Sequence, residues 1–228
     1  MRADGILFDK DGTLFQFGAT WEIWARSVLD RLCEGDVVRA TAIGAVIGYD
    51  YQAQVFDPGS VVIAGTPAQV VAAFQSHFDM DPVALEVLLN EEAANAPQTE
   101  AVPLQPFLDG LRAMGLTLGV ATNDAEAPAL AHLREAGVTG RFDFIAGYDS
   151  GYGAKPAPGQ CLGFAKAQGL DPARVVMVGD SLHDLHAGRA AGMQVVGVLT
   201  GMADTAELAP HADIVLPDIG HLPTWLQG

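Results

Sequence analysis

The chain has 228 residues, of which 50% are hydrophobic and 18% are charged, so it has enough apolar material for a buried core. Twelve Lys and Arg residues against 28 Asp and Glu residues give a net charge of −16, which disfavours binding to nucleic acid or to an anionic membrane surface. The two cysteines, Cys33 and Cys161, predict neither a disulfide framework nor a cysteine zinc site. No apolar run has the length of a signal peptide core or a membrane span, so we expect a cytoplasmic protein.

The first predicted element is a short apolar run, Gly5–Phe8, which is typical of a buried strand and ends at Asp9. Helical patterns follow from about residue 17 to residue 97. One helical stripe is formed by Trp21, Trp24, Val28 and Leu32. Further helices are predicted over Val37–Gly48, Pro67–Phe78 and Pro82–Ala96, the last two with proline in the first turn. The segment Tyr49–Thr66 is ambiguous, because a turn sequence precedes the β-favouring run Val61–Ile63.

After Pro97 the pattern alternates between apolar strands and helices. The predicted strands are Leu116–Ala121, Phe142–Ala146, Val175–Val178, Gln194–Val198 and Ile214–Leu216. The predicted helices are Pro106–Met114, Ala125–Ala136, Gly159–Gln168 and Leu182–Ala191. Fully apolar strands alternating with helices indicate an α/β fold with a Rossmann-like parallel sheet and helices on both faces. We therefore predict a core of residues 1–16 and 98–228, interrupted by a helical cap domain over residues 17–97.

Polar clusters follow four of the predicted strands, where open α/β sheets bind ligands. In the first cluster, Asp9 and Asp11 can face one site while Lys10 faces away, and Gly12 permits a close backbone approach to a ligand. A solvated turn is the alternative interpretation. In the second cluster, Thr122 and Asn123 can hold an anion at a helix start; the alternative is that Thr122, Asn123 or Asp124 caps that helix.

The third cluster contains Lys155, in a loop with two prolines, where an ammonium group suits the neutralisation of a phosphate or an aspartate; an ordinary surface lysine is the alternative. The fourth contains Asp180, Ser181 and Asp184, whose oxygens suit Mg²⁺ or simply cap a helix. The nearby His183–His186 pair has no third soft ligand, which favours surface positions. Unrelated helix caps and turns would not place a polar cluster after each of four strands in this order. We therefore expect the four clusters to form one shared site.

Four motifs carry a family resemblance. They are DKDGTLF (residues 9–15), ATND (121–124), GAKPAP (153–158) and GDSLHDLHAGRAAGM (179–193). In this order the chain resembles the haloacid dehalogenase superfamily, within it the phosphoglycolate-phosphatase-like branch with a helical cap between the first and second motifs. The resemblance implies a phosphoric monoester hydrolase that acts on a small, phosphoglycolate-like phosphomonoester through an aspartyl-phosphate intermediate.

The resemblance also implies the role of each motif residue. Asp9 is the expected nucleophile, Asp11 the general acid and then base, and Lys155 the cation that steadies Asp9 and the phosphoryl group. Phosphoryl oxygens are expected to bind Gly12, Thr122, the Asn123 backbone and Lys155. An Mg²⁺ cofactor is expected on Asp9, the backbone carbonyl of Asp11, and Asp180. Its surroundings would be supported by Asp184 and Ser181. The metal is needed because a phosphate dianion would otherwise meet several carboxylates.

Two departures from the branch bear on the substrate and leave the chemistry in place. Gln16 and Phe17 stand where many relatives have an Asp-Ser pair, and Gly159 stands where relatives often carry an acid. The enzymatic alternative is a phosphosugar mutase of the same superfamily, but Phe17–Glu22 does not match the hinge sequence of such mutases. A catalytically silent binding or regulatory module is the other alternative, and the intact Asp9 and Asp11 disfavour it.

The expected partner is a small phosphorylated metabolite, with no nucleic acid and no membrane, and the protein is expected to be a monomer or homodimer. The cap contains three cations, Arg26, Arg31 and Arg39, and no lysine. A carboxylated substrate such as phosphoglycolate needs one of these arginines, or a backbone N–H of the cap, to face the site. The alternative is that all three lie on solvated helix faces.

Overall fold

The computed structural model describes residues 2–228, apart from the side chain of Ala64. Its strands are β1 (Gly5–Phe8), β2 (Tyr49–Asp50), β3 (Val55–Phe56), β4 (Thr117–Ala121), β5 (Phe144–Ala146), β6 (Val175–Gly179), β7 (Gln194–Val198) and β8 (Ile214–Leu216). Its helices are α1 (Phe17–Leu32), α2 (Val37–Gly44), α3 (Val61–Ala64), α4 (Pro67–Phe74), α5 (Pro82–Ala94), α6 (Leu104–Ala113), α7 (Glu126–Glu135), α8 (Gly159–Gln168), α9 (Leu182–Ala190), α10 (Thr205–Leu208) and α11 (Leu222–Gln227).

Six parallel strands form the central sheet in the order β5-β4-β1-β6-β7-β8. Successive side chains of β1 enter opposite layers: Ile6 and Phe8 join one buried apolar cluster and Leu7 joins another. Both faces of the sheet are therefore covered, which explains why β1 contains only apolar residues and glycine. The prediction of an α/β fold with a Rossmann-like parallel sheet is confirmed.

A third apolar cluster draws all its members from the segment between Phe17 and Ala96. Two chain connections join this segment to the sheet, and they pair with each other. The N–H of Gln16 donates to the carbonyl of Thr99 at 2.9 Å, and the N–H of Ala101 donates to the carbonyl of Leu14 at 2.9 Å. We call the inserted segment, residues 17–97, the cap; its standing as a separate domain remains a prediction.

Most predicted elements form, with differences at their ends. The ambiguous β-favouring run Val61–Ile63 is helical in α3, because the Ser60 hydroxyl accepts the N–H of Val62 and caps the helix. The helix predicted over Pro67–Phe78 ends at Phe74, and the one predicted from Pro106 begins at Leu104. Among residues 2–228, no helix has the length and apolar character required to cross a membrane.

Candidate active site

Adjacent central strands bring three of the predicted clusters together. Because β4, β1 and β6 are neighbours and parallel, their carboxyl ends place Thr122, Asp9 and Asp180 side by side. The strand ladder continues into the site, since the N–H of Asp9 donates to the carbonyl of Val178 at 2.8 Å. Asp9, Thr122 and Asp180 are all buried. The expected convergence at one edge of the sheet is what the fold produces.

Lys155 reaches the same point from the loop after β5. The side chain of Asn123 holds that loop: its oxygen accepts the Lys155 N–H at 2.8 Å, and its nitrogen donates to the Lys155 carbonyl at 3.0 Å. The Lys155 Nζ donates to Asp9 Oδ1 at 2.7 Å and to Asp184 Oδ1 at 2.5 Å. Lys155 is only 4% exposed, so the interpretation as an ordinary surface lysine is wrong.

Asp184 contributes to the cap of a helix and also binds Lys155. Its Oδ2 accepts the Ser181 hydroxyl at 2.7 Å and the Ser181 N–H at 3.1 Å, which makes Ser181 the N-cap of α9. Its Oδ1 accepts Lys155. Helix capping and positioning of the lysine are therefore combined in one side chain.

The carboxylates of this site repel one another. Oxygens of Asp9, Asp180 and Asp184 lie within 4.8 Å of each other, and all three residues are buried. Burial, followed by the charge of Asp184, raises the pKa of Asp9 to about 7, and the same two causes hold the pKa of Asp180 well above its ordinary value. Burial alone lowers the pKa of Lys155, but the charges of Asp184 and Asp9 outweigh it and raise that pKa.

Two glycines let the backbone approach the Asp180 carboxylate closely. Gly12 has φ of +73°, and a Cβ at Gly12 or at Gly201 would collide with that carboxylate. The Thr200 hydroxyl fixes this turn by donating to the carbonyl of Gly12 at 2.6 Å. Clustered, buried carboxylate oxygens fit a hard cation such as Mg²⁺. Asp9 and Asp180 fit its ligands better than Asp184, because both Asp184 oxygens already have hydrogen-bond partners.

Lys10 is a residue whose function the sequence interpretation missed. It was expected to face away from the site, but it is fully buried beneath it. Its Nζ lies 2.9 Å from Asp11 Oδ1, 3.1 Å from Asp124 Oδ2 and 2.9 Å from His132 Nδ1. Asp11 is thus outside the cluster of three carboxylates and is held by this lysine. The available signal was a lysine placed between two aspartates at the end of an apolar strand.

His132 continues this contact into the cap. Its Nε2 lies 2.6 Å from the carbonyl of Ala93 in α5. An ammonium group only donates and a carbonyl only accepts, so Nδ1 accepts from Lys10 and Nε2–H donates to Ala93. The imidazole is therefore neutral, in agreement with burial and the Lys10 charge, which lower the pKa of His132 to about 4.

The His183–His186 pair does not form a metal site. His186 is exposed and its Nε2 lies 3.2 Å from Nδ1 of His211, while His183 lines the cavity above the carboxylates. Within residues 2–228, the one group of acidic, cysteine or histidine side chains spaced to share an ion is Asp9, Asp180 and Asp184. His186 thus lies at the surface, as the sequence favoured, whereas His183 is half-buried.

A cavity of about 670 Å³, measured out to open solvent, lies between the strand ends and the cap. The sheet side of its wall carries the residues described above. The cap side is formed by residues of α1, α3, α4 and α5 together with the short segment that joins α3 to α4. Any group attached to a phosphate bound at Asp9 would therefore extend toward the cap.

Comparisons with known proteins agree with this architecture. Residues 3–192 match the haloacid dehalogenase-like hydrolase family. The chain is 28% identical over 217 residues to a phosphoglycolate phosphatase of Agrobacterium fabrum, covering 95% of this chain and 89% of that protein. It is 40% identical over 129 residues to a phosphoglycolate phosphatase of Neisseria meningitidis, covering 56% of this chain and 52% of that protein.

Among solved structures, CbbY from Rhodobacter sphaeroides in complex with phosphate superposes with a TM-score of 0.74, at 21% identity, over 96% of both chains. This similarity concerns the fold. The family match runs from β1 through α9 and includes the first three motifs and all but the last residue of the fourth, while β7 and β8 lie beyond it. The chain belongs to the haloacid dehalogenase-like hydrolase family.

Proposed function

We propose that the protein is a Mg²⁺-dependent phosphatase that hydrolyses a small phosphomonoester through an aspartyl-phosphate on Asp9. The observation that carries this proposal is Lys155, whose Nζ donates to Asp9 and Asp184 in a buried pocket next to Asp180. Phosphoryl transfer requires mainly positioning and stabilisation of charge, and this arrangement supplies both. The relatives named phosphoglycolate phosphatase support the same reaction class.

In the first step, a carboxylate oxygen of Asp9 attacks phosphorus and the bond to the leaving oxygen breaks, while Asp11 gives that oxygen a proton. In the second step, Asp11 takes a proton from water, the water oxygen attacks the same phosphorus, and the Asp9–phosphate bond breaks. The products are an alcohol and inorganic phosphate, and both carboxyl groups return to their starting states. Covalent catalysis of this kind divides hydrolysis into two easier steps.

The phosphoryl oxygens would bind around the carboxyl ends of β1 and β4. The Thr122 hydroxyl accepts the Asp124 N–H at 3.0 Å, so its own proton remains to donate to a phosphate. The Asn123 backbone, the Gly12 turn and Lys155 complete the proposed cradle. Asp9, Asp180 and the backbone carbonyl of Asp11 would hold Mg²⁺, which when bound would neutralise charge on the phosphoryl oxygens.

Residues 17–97 would act as the cap that covers a small phosphorylated metabolite, in a cytoplasmic monomer or homodimer. A phosphosugar mutase is the alternative within the same superfamily. A sugar presents many hydroxyl groups, whereas Thr66 and Asn90 are the polar residues that the described part of the cap contributes to the cavity. This favours the hydrolase.

The test is release of phosphate from p-nitrophenyl phosphate with Mg²⁺ and after chelation. We expect activity that requires the metal and that is abolished in Asp9→Asn, because an amide is a poor nucleophile. The matched control is Asp79→Asn, an exposed aspartate of the cap, which should retain wild-type turnover. Near-wild-type turnover in Asp9→Asn would contradict the nucleophile assignment. Absence of turnover in the wild type would favour the silent binding module, and conversion of a phosphosugar without free phosphate would favour the mutase.

A further inference from the structure

The cap side of the cavity is an apolar wall. Its side chains include two tryptophans in edge-to-face contact, with ring centres 5.2 Å apart, and several branched aliphatic residues. The main contributors are Phe17, Trp21, Trp24, Val62, Ile63 and Leu89. Its polar residues, Thr66 and Asn90, are uncharged. A leaving group that extends from the phosphate toward the cap therefore meets mostly aromatic and aliphatic surface.

The cap arginines are engaged away from this wall. Arg26 Nε pairs with Asp30 Oδ2 at 2.9 Å, and Arg31 pairs with Glu92 at 2.8 Å. Arg39 lies over the ring of Phe78 at 5.0 Å and donates to a backbone carbonyl. All three are absent from the described lining of the cavity. Arg31 and Arg39 are therefore on solvated helix faces, as in the alternative interpretation, whereas Arg26 is half-buried.

Backbone N–H groups at the wall are also engaged. Val62 and Ile63 donate to the hydroxyl and the carbonyl of Ser60. Gly65 donates to the carbonyl of Val61, and Thr66 donates to the side chain of Gln69 at 2.8 Å. Pro67, the next lining residue, has no N–H. The N–H groups of these lining residues therefore have partners and are not free to bind an anion.

The sheet side adds negative charge. The lining includes five carboxylates, those of Asp9, Asp11, Asp124, Asp180 and Asp184. Among the described lining residues, Lys155 is the one lysine or arginine, and two of these carboxylates already hold it. A carboxylate on the substrate would be desolvated beside like charges and without a cationic partner, which is unfavourable.

We infer that this site selects phosphate monoesters whose leaving group is uncharged and aromatic or aliphatic, over carboxylated esters such as phosphoglycolate. This inference rests on the proposed phosphatase activity and narrows its substrate class.

The test compares benzyl phosphate with its para-carboxylated analogue, whose leaving alcohols are of similar reactivity. The assay uses Mg²⁺ at pH 8, where His183 is neutral, because burial lowers the pKa of its imidazole below the ordinary value. We expect kcat/KM for benzyl phosphate to exceed that of the carboxylated ester by at least tenfold. Equal or reversed values overturn the inference while leaving the phosphatase proposal intact. If neither ester releases phosphate, the phosphatase proposal fails. The preference is then measured by calorimetric binding of the two corresponding benzylphosphonates, and the uncharged one should bind at least tenfold more tightly.

A charge placed on the wall provides an independent test. Asn90→Lys adds a cation to the lining, and Asn95→Lys adds the same charge at an exposed position outside the described lining. We expect Asn90→Lys to reduce the preference for the uncharged ester by at least tenfold, chiefly through faster turnover of the carboxylated ester. We expect Asn95→Lys to leave the ratio unchanged. An unchanged ratio in both variants would overturn the placement of the leaving group against the cap.

Discussion

The two aspartates of the first motif lie in different electrostatic surroundings although they are two residues apart. Asp9 shares Lys155 with Asp184 and lies close to Asp180, whereas Asp11 is paired with the buried Lys10. This separation matches the proposed division between a nucleophile near the metal and an acid–base group beside it. Two carboxylates with different partners in one site are a common basis for different catalytic roles.

For Asp11→Asn we expect turnover to fall by about 10²–10⁴, the usual contribution of general acid–base catalysis. Phosphate and Mg²⁺ binding should be largely retained, because the proposed ligand is the backbone carbonyl. Steady-state kinetics and a Mg²⁺ titration measure the two quantities separately. An equal loss of Mg²⁺ affinity would show that the carboxylate itself binds the metal.

Lys10→Met should destabilise the protein by about 3–5 kcal/mol, since removing one partner of a buried ion pair leaves the other unpaired. Neither partner is exposed to solvent: Lys10 is fully buried, and the side chain of Asp124 is 2% exposed. Denaturant unfolding measures the change, with the exposed Lys166→Met as the matched control. Adding Asp124→Asn to Lys10→Met should recover part of the loss, and a double variant as unstable as the single one contradicts this account.

At the scale of elements, α7 of the sheet layer and α5 of the cap are joined through His132. The helix supplies the imidazole, the first motif supplies Lys10 and the end of α5 supplies the carbonyl of Ala93. A single neutral side chain thus connects the loop that carries Asp9 and Asp11 with the cap. The contact depends on the imidazole remaining unprotonated, because a protonated Nδ1 cannot accept from an ammonium group.

This requirement predicts a pH dependence of stability. The pKa of His132 is about 4 in the folded protein, because of burial and the nearby Lys10, against an ordinary value near 6.5. The unfolded chain therefore binds this proton first as pH falls, so the contribution of His132 to stability is lost between about pH 6.5 and 4, by about 2 kcal/mol at pH 5. Asp9, whose pKa is raised to about 7, binds its proton first in the folded protein and acts in the opposite direction. Urea unfolding of the wild type and of His132→Gln, each at pH 7 and pH 5, separates the two effects. The change on acidification should be about 2 kcal/mol less favourable in the wild type, and an equal change in both proteins would contradict the prediction.

At the scale of the whole molecule, the cap and the sheet layers have separate apolar clusters, and the chain crosses between them twice. We expect lid motion at the paired crossings near Gln16 and Thr99, where the chain passes between the two parts. A cap that closes would exclude water and present its apolar wall to the leaving group.

Replacement of residues 17–97 by a short Gly/Ser linker tests this lid. The ends to be joined are close, since Gln16 and Thr99 share a 2.9 Å hydrogen bond, and both clusters of the sheet layers remain. We expect kcat/KM for small esters to fall by about 10²-fold, the effect of lost positioning, and discrimination among them to disappear. Activity on phosphopeptides should rise, because the large substrate can then reach Asp9. Circular dichroism establishes folding, and unchanged selectivity in the folded variant would mean that the sheet layers choose the substrate.

The sequence by itself determined the parallel sheet and the place of its chemistry. Each apolar strand is followed directly by its polar cluster, and the parallel arrangement brings those ends to one edge whatever the details of packing. Asp9, Thr122 and Asp180 were therefore predicted as neighbours from local patterns alone. The helical stripe of Trp21, Trp24 and Val28 was predicted in the same way, and all three are buried in α1.

Only the tertiary structure decided the partners of these groups. Lys10 was expected to face away from the site, but its contacts Asp124 and His132 lie more than a hundred residues along the chain, and no local pattern encodes them. Likewise, the sequence does not tell whether a cap arginine faces substrate or solvent. The ion pairs of Arg26 with Asp30 and of Arg31 with Glu92 direct both side chains away from the cavity. Periodicity reports which face of an element is buried, while a charge takes its role from whichever opposite charges the fold brings within hydrogen-bonding distance.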